Sequence, residues 1–226
     1  MESKKIAGER AVDYVRDGMI VGLGTGSTVY WTLSRLGEKI KQGLSIQAVA
    51  TSVQTESLAK EFGIALIPFS KVESIDLTID GADEVDPEWN LVKGGGGALL
   101  REKIVADASK RLIIVADESK LVRHLGKFPL PVEVVKFGFE WTMRRLSGLG
   151  CSVKPRLSGD NPFVTDNGNF IVDCSFESIV RPRELHREIN DIPGVIDNGL
   201  FIDRASRVIV GCQDGTVKEL NSGKAK

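Results

Sequence analysis

From the start of the chain to about Pro129, short apolar runs alternate with stretches whose apolar residues recur every three to four positions. That is the rhythm of a parallel sheet wrapped by crossover helices. Ile6, Ala7, Ala11, Tyr14 and Val15 predict a helix that stops near Asp17-Gly18, and residues 19–23 then form a buried strand. A helix follows from Ser27 to about Lys41, and residues 46–50 are a second strand. Ser52 is placed to cap the next helix and Gly63 to end it. Residues 64–67 and 75–79 supply two more strands, the latter alternating Ile75, Leu77 and Ile79 with Asp76, Thr78 and Asp80. Residues 98–110 read as a helix and 112–116 as a fully buried strand.

At Phe128-Pro129-Leu130-Pro131 two prolines in three residues break the rhythm. Beyond them the pattern predicts a strand at 132–135, a helix at 140–149 and a strand at 151–156. A hairpin of 162–165 with 169–173 turns at Asp166-Asn167-Gly168, before a helix at 183–190 and a strand at 195–201. This β-α-β-β-α-β order is that of a small ferredoxin-like module. The apolar run 207–212 is expected to return to the first sheet. The fold class is therefore α/β: a Rossmann-like, mostly parallel sheet with helices on both faces, over residues 1–130 with 207–226. Residues 131–206 form an inserted, smaller α+β ferredoxin-like domain.

Composition narrows the possible partners. The 226 residues are 42% hydrophobic and 27% charged, ordinary for a globular protein, which excludes disordered and fibrous classes. No apolar run approaches the ~18 residues of a membrane span. Met1-Glu2-Ser3-Lys4-Lys5 leads into no hydrophobic signal core, so a cytosolic protein without a membrane partner is expected. Thirty basic and thirty-one acidic residues give a formal charge of -1 without long single-sign blocks. That argues against nucleic acid held by bulk electrostatics and for a small polar ligand held by local groups. Cys151, Cys174 and Cys212 show no CxxC spacing, so buried reduced thiols are expected rather than a disulfide framework or a zinc knuckle.

In a doubly wound sheet the ligand crevice lies at the carboxyl ends of the strands, and three of those ends are unusually polar. The first strand runs into Gly24-Thr25-Gly26-Ser27-Thr28 and then into a helix, so backbone N–H groups, hydroxyls and the positive helix end can converge on a phosphate. The glycines at 22, 24 and 26 do not fit the dinucleotide fingerprint, and no carboxylate follows the second strand to meet a ribose. The second polar end is Asp80-Gly81-Ala82-Asp83-Glu84-Val85-Asp86. Crowded carboxylates there could raise one another's pKa, hold Mg²⁺, or form a solvated turn. The two histidines, His124 and His186, have nothing near them at ligand spacing, which weakens the metal reading. The third end is Lys93-Gly94-Gly95-Gly96-Gly97, opening a helix with Arg101, Glu102 and Lys103. Glycines in such a run are costly to order and suggest close approach to a ligand. Arg101 and Lys103 have the plain alternative of surface charge. Asp117-Glu118-Ser119-Lys120 adds an ammonium at the same sheet edge.

Together these residues resemble the ribose-5-phosphate isomerase family of the A type. The resemblance runs through Val21-Gly22-Leu23-Gly24-Thr25-Gly26-Ser27-Thr28, Asp80-Gly81-Ala82-Asp83-Glu84, Lys93-Gly94-Gly95-Gly96 with Arg101-Glu102-Lys103, and Leu125-Gly126-Lys127-Phe128-Pro129-Leu130-Pro131-Val132-Glu133. It continues in order through Val164-Thr165-Asp166-Asn167-Gly168-Asn169 and Ile192-Pro193-Gly194-Val195. Gly97, where alanine is expected in many relatives, is a small departure.

The resemblance implies an aldose-ketose isomerase that needs neither cofactor nor metal and works as a homodimer or homotetramer, with the inserted module contributing to subunit contacts. It implies substrate contacts at Thr25, Gly26, Ser27, Thr28, Asp80, Gly81, Ala82, Asp83, Lys93, Gly94, Gly95, Gly96 and Lys120, with Glu102 as catalytic base. Glutamate has an ordinary pKa of about 4.3, so a base working near neutrality should be partly desolvated and raised. Lys93 would offset a developing oxyanion, at roughly 4 kcal/mol for a pair ~4 Å apart. Asp80 and Asp83 would serve sugar hydroxyls and ring opening. Other phosphosugar chemistries, lactone hydrolysis or deamination, use related sheets. A non-catalytic phosphosugar sensor would carry a DNA-binding helix pair and a basic face, which this sequence does not show.

Overall fold

The computed structural model describes residues 1–221. In chain order its elements are α1 (Glu2–Ala11), β1 (Ile20–Leu23), α2 (Val29–Lys41), β2 (Gln47–Ala50), α3 (Val53–Glu61), β3 (Leu77–Gly81), β4 (Glu84–Val85), β5 (Leu91–Val92), α4 (Leu99–Asp107) and β6 (Leu112–Asp117). They continue as β7 (Leu130–Val134), α5 (Phe139–Ser147), β8 (Ser152–Pro155), β9 (Leu157–Ser158), β10 (Asn161–Pro162), β11 (Phe170–Ser175), α6 (Pro182–Asn190), β12 (Val195–Asn198), β13 (Leu200–Phe201), β14 (Arg207–Gly211) and β15 (Val217–Asn221). Two units emerge: Met1–Ala82 with Arg101–Lys120 and the chain from Arg204 onward, and Asp83–Leu100 with Leu121–Asp203. The segments 83–100 and 121–130 therefore group with the second unit, whereas the sequence pattern put the boundary at the prolines. The reason is local: β4, β5 and β13 make a small antiparallel sheet, and the buried Glu84 carboxylate accepts the N–H groups of Gly126 (2.7 Å) and Phe128 (2.6 Å).

The first unit is built on a six-stranded sheet in the order β15-β14-β6-β3-β1-β2, parallel except for the β14–β15 hairpin. Val21, Leu23, Leu77, Ile79, Ile113, Val115 and Ile209 bury one continuous apolar layer under Ala7, Ala11, Leu33 and Leu36 of the helices. The chain passes from β1 out to β2 and back to β3 on the other flank of β1, so β1 and β3 form the topological switch point. β1 and β3 approach so closely that a Cβ at Gly22 would lie 1.9 Å from Thr78 Oγ1, and one at Gly24 2.0 Å from Asp80 Oδ1. Ser52 caps α3 by accepting the Thr55 N–H. Residues 64–67, expected as a strand, make only a single bridge to Ala48 before Pro68 turns the chain away. β15 was not expected; it follows an Asp214-Gly215 turn with Gly215 at φ +82°. The Glu219 carboxylate on β15 is pushed up by burial, but hydrogen bonds from Tyr14, Arg10 and Arg207 outweigh this and hold it below the ordinary carboxylate range.

The second unit contains a four-stranded antiparallel sheet in the order β12-β7-β11-β8, with α5 and α6 as crossovers, the ferredoxin-like arrangement. Val132, Val134, Val172 and Cys174 face Leu146 and Ile189 in its core. Pro131, which the sequence pattern treats as a breaker, lies inside β7. Its missing N–H falls where β12 has already ended, and its carbonyl accepts the Gly199 N–H at 2.8 Å. The expected strand 195–201 divides, because Leu200 and Phe201 leave to pair with β5. The arm 162–165 of the expected hairpin makes one bridge, Val164 to Phe170, and a separate small hairpin, β9–β10, precedes it. The turn itself is tied to the sheet by the fully buried Glu133, whose Oε1 accepts from Thr165 Oγ1 (2.9 Å), Asn167 Nδ2 (3.2 Å) and Asn169 Nδ2 (2.9 Å). The cysteines are free, and Cys151 lies near Cys174, whose thiol is raised by that neighbour and by burial.

Two stability effects follow. Glu133→Ala leaves three inward-turned donors without their acceptor and is expected to cost roughly 2–4 kcal/mol in urea unfolding, with earlier proteolysis at 165–169. Asp76 accepts Lys110 Nζ at 2.7 Å and the Ile20 N–H at 2.9 Å, and these bonds, Lys110's first, lower its pKa in the fold. Its stabilisation is thus complete above the unfolded value of about 3.9 and is lost as pH falls through the folded one. Asp76→Asn should cost ~1 kcal/mol at pH 7, a deficit that shrinks as unfolding is measured towards pH 3.

Candidate active site

The residues marked by the sequence fall in two groups, one in each unit. In the first unit, the loop after β1 and the end of β3 are carboxyl ends of adjacent parallel strands. Asp80, 1% exposed, turns its Oδ1 to the N–H groups of Thr25 (3.1 Å) and Gly81 (2.7 Å), which ties the glycine loop to β3. The Thr25 hydroxyl is drawn inward, 2.8 Å from Thr51 Oγ1 and Ser52 Oγ and 3.1 Å from Thr55 Oγ1. Thr25 thus shapes the loop. Gly26 and Ser27 are exposed beyond it, and Thr28 stands at the N-cap of α2, so the helix begins two residues after the start expected at Ser27. The positive end of α2 therefore opens onto Ser27 and Thr28, the arrangement that favours an anion.

Two ammonium groups lie near Asp117, and one of them also reaches the loop after β1. Lys4 of α1 donates to Ser27 Oγ at 3.0 Å. Lys120 ends the short 3-10 turn after β6. Both act on Asp117: burial pushes its carboxyl up, but the Ser119 hydrogen bonds and the Lys120 and Lys4 charges together hold it below the ordinary range. Lys4 was missed by sequence reasoning, because a lysine in the first helical turn of a chain carries no local signal of what it will face.

Helix α4 inverts the usual helical pattern. Glu102 is 4% exposed and Lys103 7%, whereas Ile104 is 46% exposed. Lys103 is therefore no surface charge. Glu102 is the fourth residue of α4, in its first turn, where the helix dipole favours the carboxylate while burial opposes its charge.

In the second unit, Asp83 follows the same logic as Asp80: its Oδ2 accepts the Gly95 N–H at 2.7 Å, and a Cβ at Gly95 would lie 2.6 Å from Asp83 Oδ1. Lys93 is 2% exposed, its N–H donates to Gly199 O at 2.9 Å, and its ammonium lies 5.4 Å from the centre of the Phe201 ring. Gly94 is buried, and Gly95 and Gly96 are exposed. The carboxylates of the Asp80–Asp86 run are held by backbone donors. Asp80, Asp83, Glu84 and Asp86 each accept their own backbone N–H groups, Asp86 those of Glu88 and Asn90. Among the described residues no three His, Cys, Asp or Glu side chains are grouped to hold a metal ion. His186 is bonded to Asn198, and His124 is exposed.

Comparison with known proteins converges on the same chemistry. Residues 47–215 match the family described as Ribose 5-phosphate isomerase A (phosphoriboisomerase A). The chain is 54% identical over 220 residues to Ribose-5-phosphate isomerase A of Bacillus mycoides, covering 97% of this chain and 99% of that one. It is 55% identical over 211 residues to the enzyme of Sphingopyxis alaskensis, covering 93% and 92%. The fold superposes on ribose 5-phosphate isomerase from Plasmodium falciparum with a TM-score of 0.96 at 42% identity, covering 99% and 100% of the two chains. A second structure, D-ribose-5-phosphate isomerase in complex with phospho-erythronic acid, gives 0.93 at 44% identity over 97% of each chain. With strand-end loops, buried carboxylate and glycine-flanked lysine all in place, this chain belongs to the ribose 5-phosphate isomerase A family.

Proposed function

We infer that the protein interconverts D-ribose 5-phosphate and D-ribulose 5-phosphate through an enediolate, with Glu102 as the base. The observation that carries this is the burial of Glu102 in the helix that directly follows the Lys93–Gly97 loop. Moving a carbonyl between C1 and C2 needs a proton taken from C2 and one returned to C1, and one carboxylate can do both. A desolvated carboxylate is the stronger base. Lys93 offsets the negative charge that develops on oxygen, and its burial keeps that interaction unscreened.

The phosphate is held by Gly26, Ser27 and Thr28 at the α2 N-terminus, with Lys4 and Lys120 supplying charge. Thr25 contributes by shaping this loop. Asp80 and Asp83, oriented by the N–H groups they accept, serve sugar hydroxyls and ring opening, with Gly81, Ala82 and the glycines 94–96 as further substrate contacts. The relative solved with phospho-erythronic acid supports this reading, since that compound puts a carboxylate where the enediolate has its paired oxygens and keeps the phosphate at the far end. The enzyme works in the cytosol as a homo-oligomer, dimer or tetramer. The exposed Phe137 and Trp141 of the second unit support a subunit contact there.

Glu102→Gln should lower kcat by about 10²–10⁴-fold and stop exchange of the substrate C2 proton with solvent, while binding stays measurable. Normal exchange in that variant, followed by NMR in deuterated water, removes Glu102 as base. Lys4→Ala should raise KM about tenfold and leave kcat within a few fold, since a charge-assisted hydrogen bond to bound phosphate is worth ~1.5–3 kcal/mol in ground state and transition state alike. A large fall in kcat would instead place Lys4 at the reacting carbons.

A further inference from the structure

Four successive glycines cannot hold a shape by themselves: they have no side chains to pack and the widest backbone freedom of any residue. Gly94 has φ +100° and Gly97 φ +80°, so the loop is fixed in a conformation that its sequence does not select unaided. The constraint comes from elsewhere in the second unit. Arg156 Nη1 donates to Gly94 O at 2.8 Å and to Gly95 O at 3.1 Å, while its Nε and Nη2 fork onto the two carboxylate oxygens of Asp173. The arginine is itself anchored, its N–H bonded to Ile171 O and its carbonyl accepting the Phe163 N–H, each at 2.8 Å.

The consequence for the loop follows from peptide planarity. In the 94–95 peptide the carbonyl is held by Arg156 and the N–H by Asp83 Oδ2, so that plane is clamped at both ends. In the 95–96 peptide the carbonyl is also held by Arg156, and with no cis bond present the Gly96 N–H must turn away from the guanidinium. Phe163 closes the far end, since a Cβ at Gly97 would lie 2.5 Å from its ring.

We propose that Arg156, set by Asp173, is a positioning residue for the isomerisation: it locks the Gly94–Gly95–Gly96 backbone in the one arrangement that presents Lys93 and the Gly96 N–H to the sugar. It acts through the loop and does not touch the substrate. The proposal rests on the reading that the Lys93–Gly97 loop serves the reaction, and the experiment keeps the two apart.

Arg156→Ala should lower kcat roughly 10- to 100-fold, as displacements of about 1 Å do, with KM changed less than about threefold. Millimolar guanidinium ion, far below denaturing levels, should restore part of kcat in this variant and leave the unsubstituted enzyme unaffected. Arg156→Lys should stay impaired, because an ammonium cannot span two carbonyls and a carboxylate fork. Asp173→Asn, which keeps the side chain's shape, should lower kcat in the same direction, and the double variant should be no worse than Arg156→Ala alone. A kcat for Arg156→Ala within twofold of normal, a loss that guanidinium does not relieve, or additive effects with Asp173→Asn would each overturn the proposal. Lys93→Ala serves as the reference: if it retains full kcat, the reading of the loop fails. If it is crippled while Arg156→Ala is not, only the positioning role fails.

Discussion

In both units, carboxylates that accept backbone N–H groups fix the loops carrying the candidate site residues. Asp80 is the clearest case. At the carboxyl end of β3 it draws in the N–H groups of Thr25 and Gly81, and Gly24 must lack a side chain because a Cβ there would overlap the carboxylate. Carboxylates that accept hydrogen bonds from charged or backbone donors form the stronger class of such bonds. Together with the Thr25 hydroxyl's bonds to Thr51, Ser52 and Thr55, this Asp80 oxygen holds the loop that leads into α2. Asp83 repeats the device on Gly95, and Glu84 repeats it on Gly126 and Phe128.

Around those anchors the protein departs from the rules that govern the rest of its core. α4 buries a glutamate and a lysine side by side and leaves an isoleucine in water. Nothing in packing energetics favours that exchange: an ionised group taken out of water is costly, and a stranded apolar side chain gains nothing. Such inversions persist where chemistry requires them. The same holds for Lys93, whose ammonium rests near an aromatic face in place of bulk solvent.

Much of this was legible along the chain. The parallel rhythm, the Ser52 cap, the ferredoxin-like order and the three polar strand ends all come from local pattern, and local pattern is what periodicity reports. What escaped was non-local. Pro131 looks like a terminator until the end of β12 is known to fall beside it. Leu200 and Phe201 read as a continuation of β12 because leaving one sheet for another costs no change in composition. The cluster that the Thr25 hydroxyl forms with Thr51, Ser52 and Thr55 is assembled only by the fold. Lys4 and Arg156 lie far in sequence from the groups they serve, Ser27 and the glycine loop.

The contact between Gly97 and the Phe163 ring makes two distant positions a single choice. With φ +80° at 97 and the aromatic edge where a methyl would sit, a chain bearing alanine there must give up the ring, withdraw the β9–β10 hairpin, or reset the loop's torsion. A side chain at 97 thus cannot be introduced alone, because the room it needs is already taken by an aromatic ring more than sixty residues further along the chain.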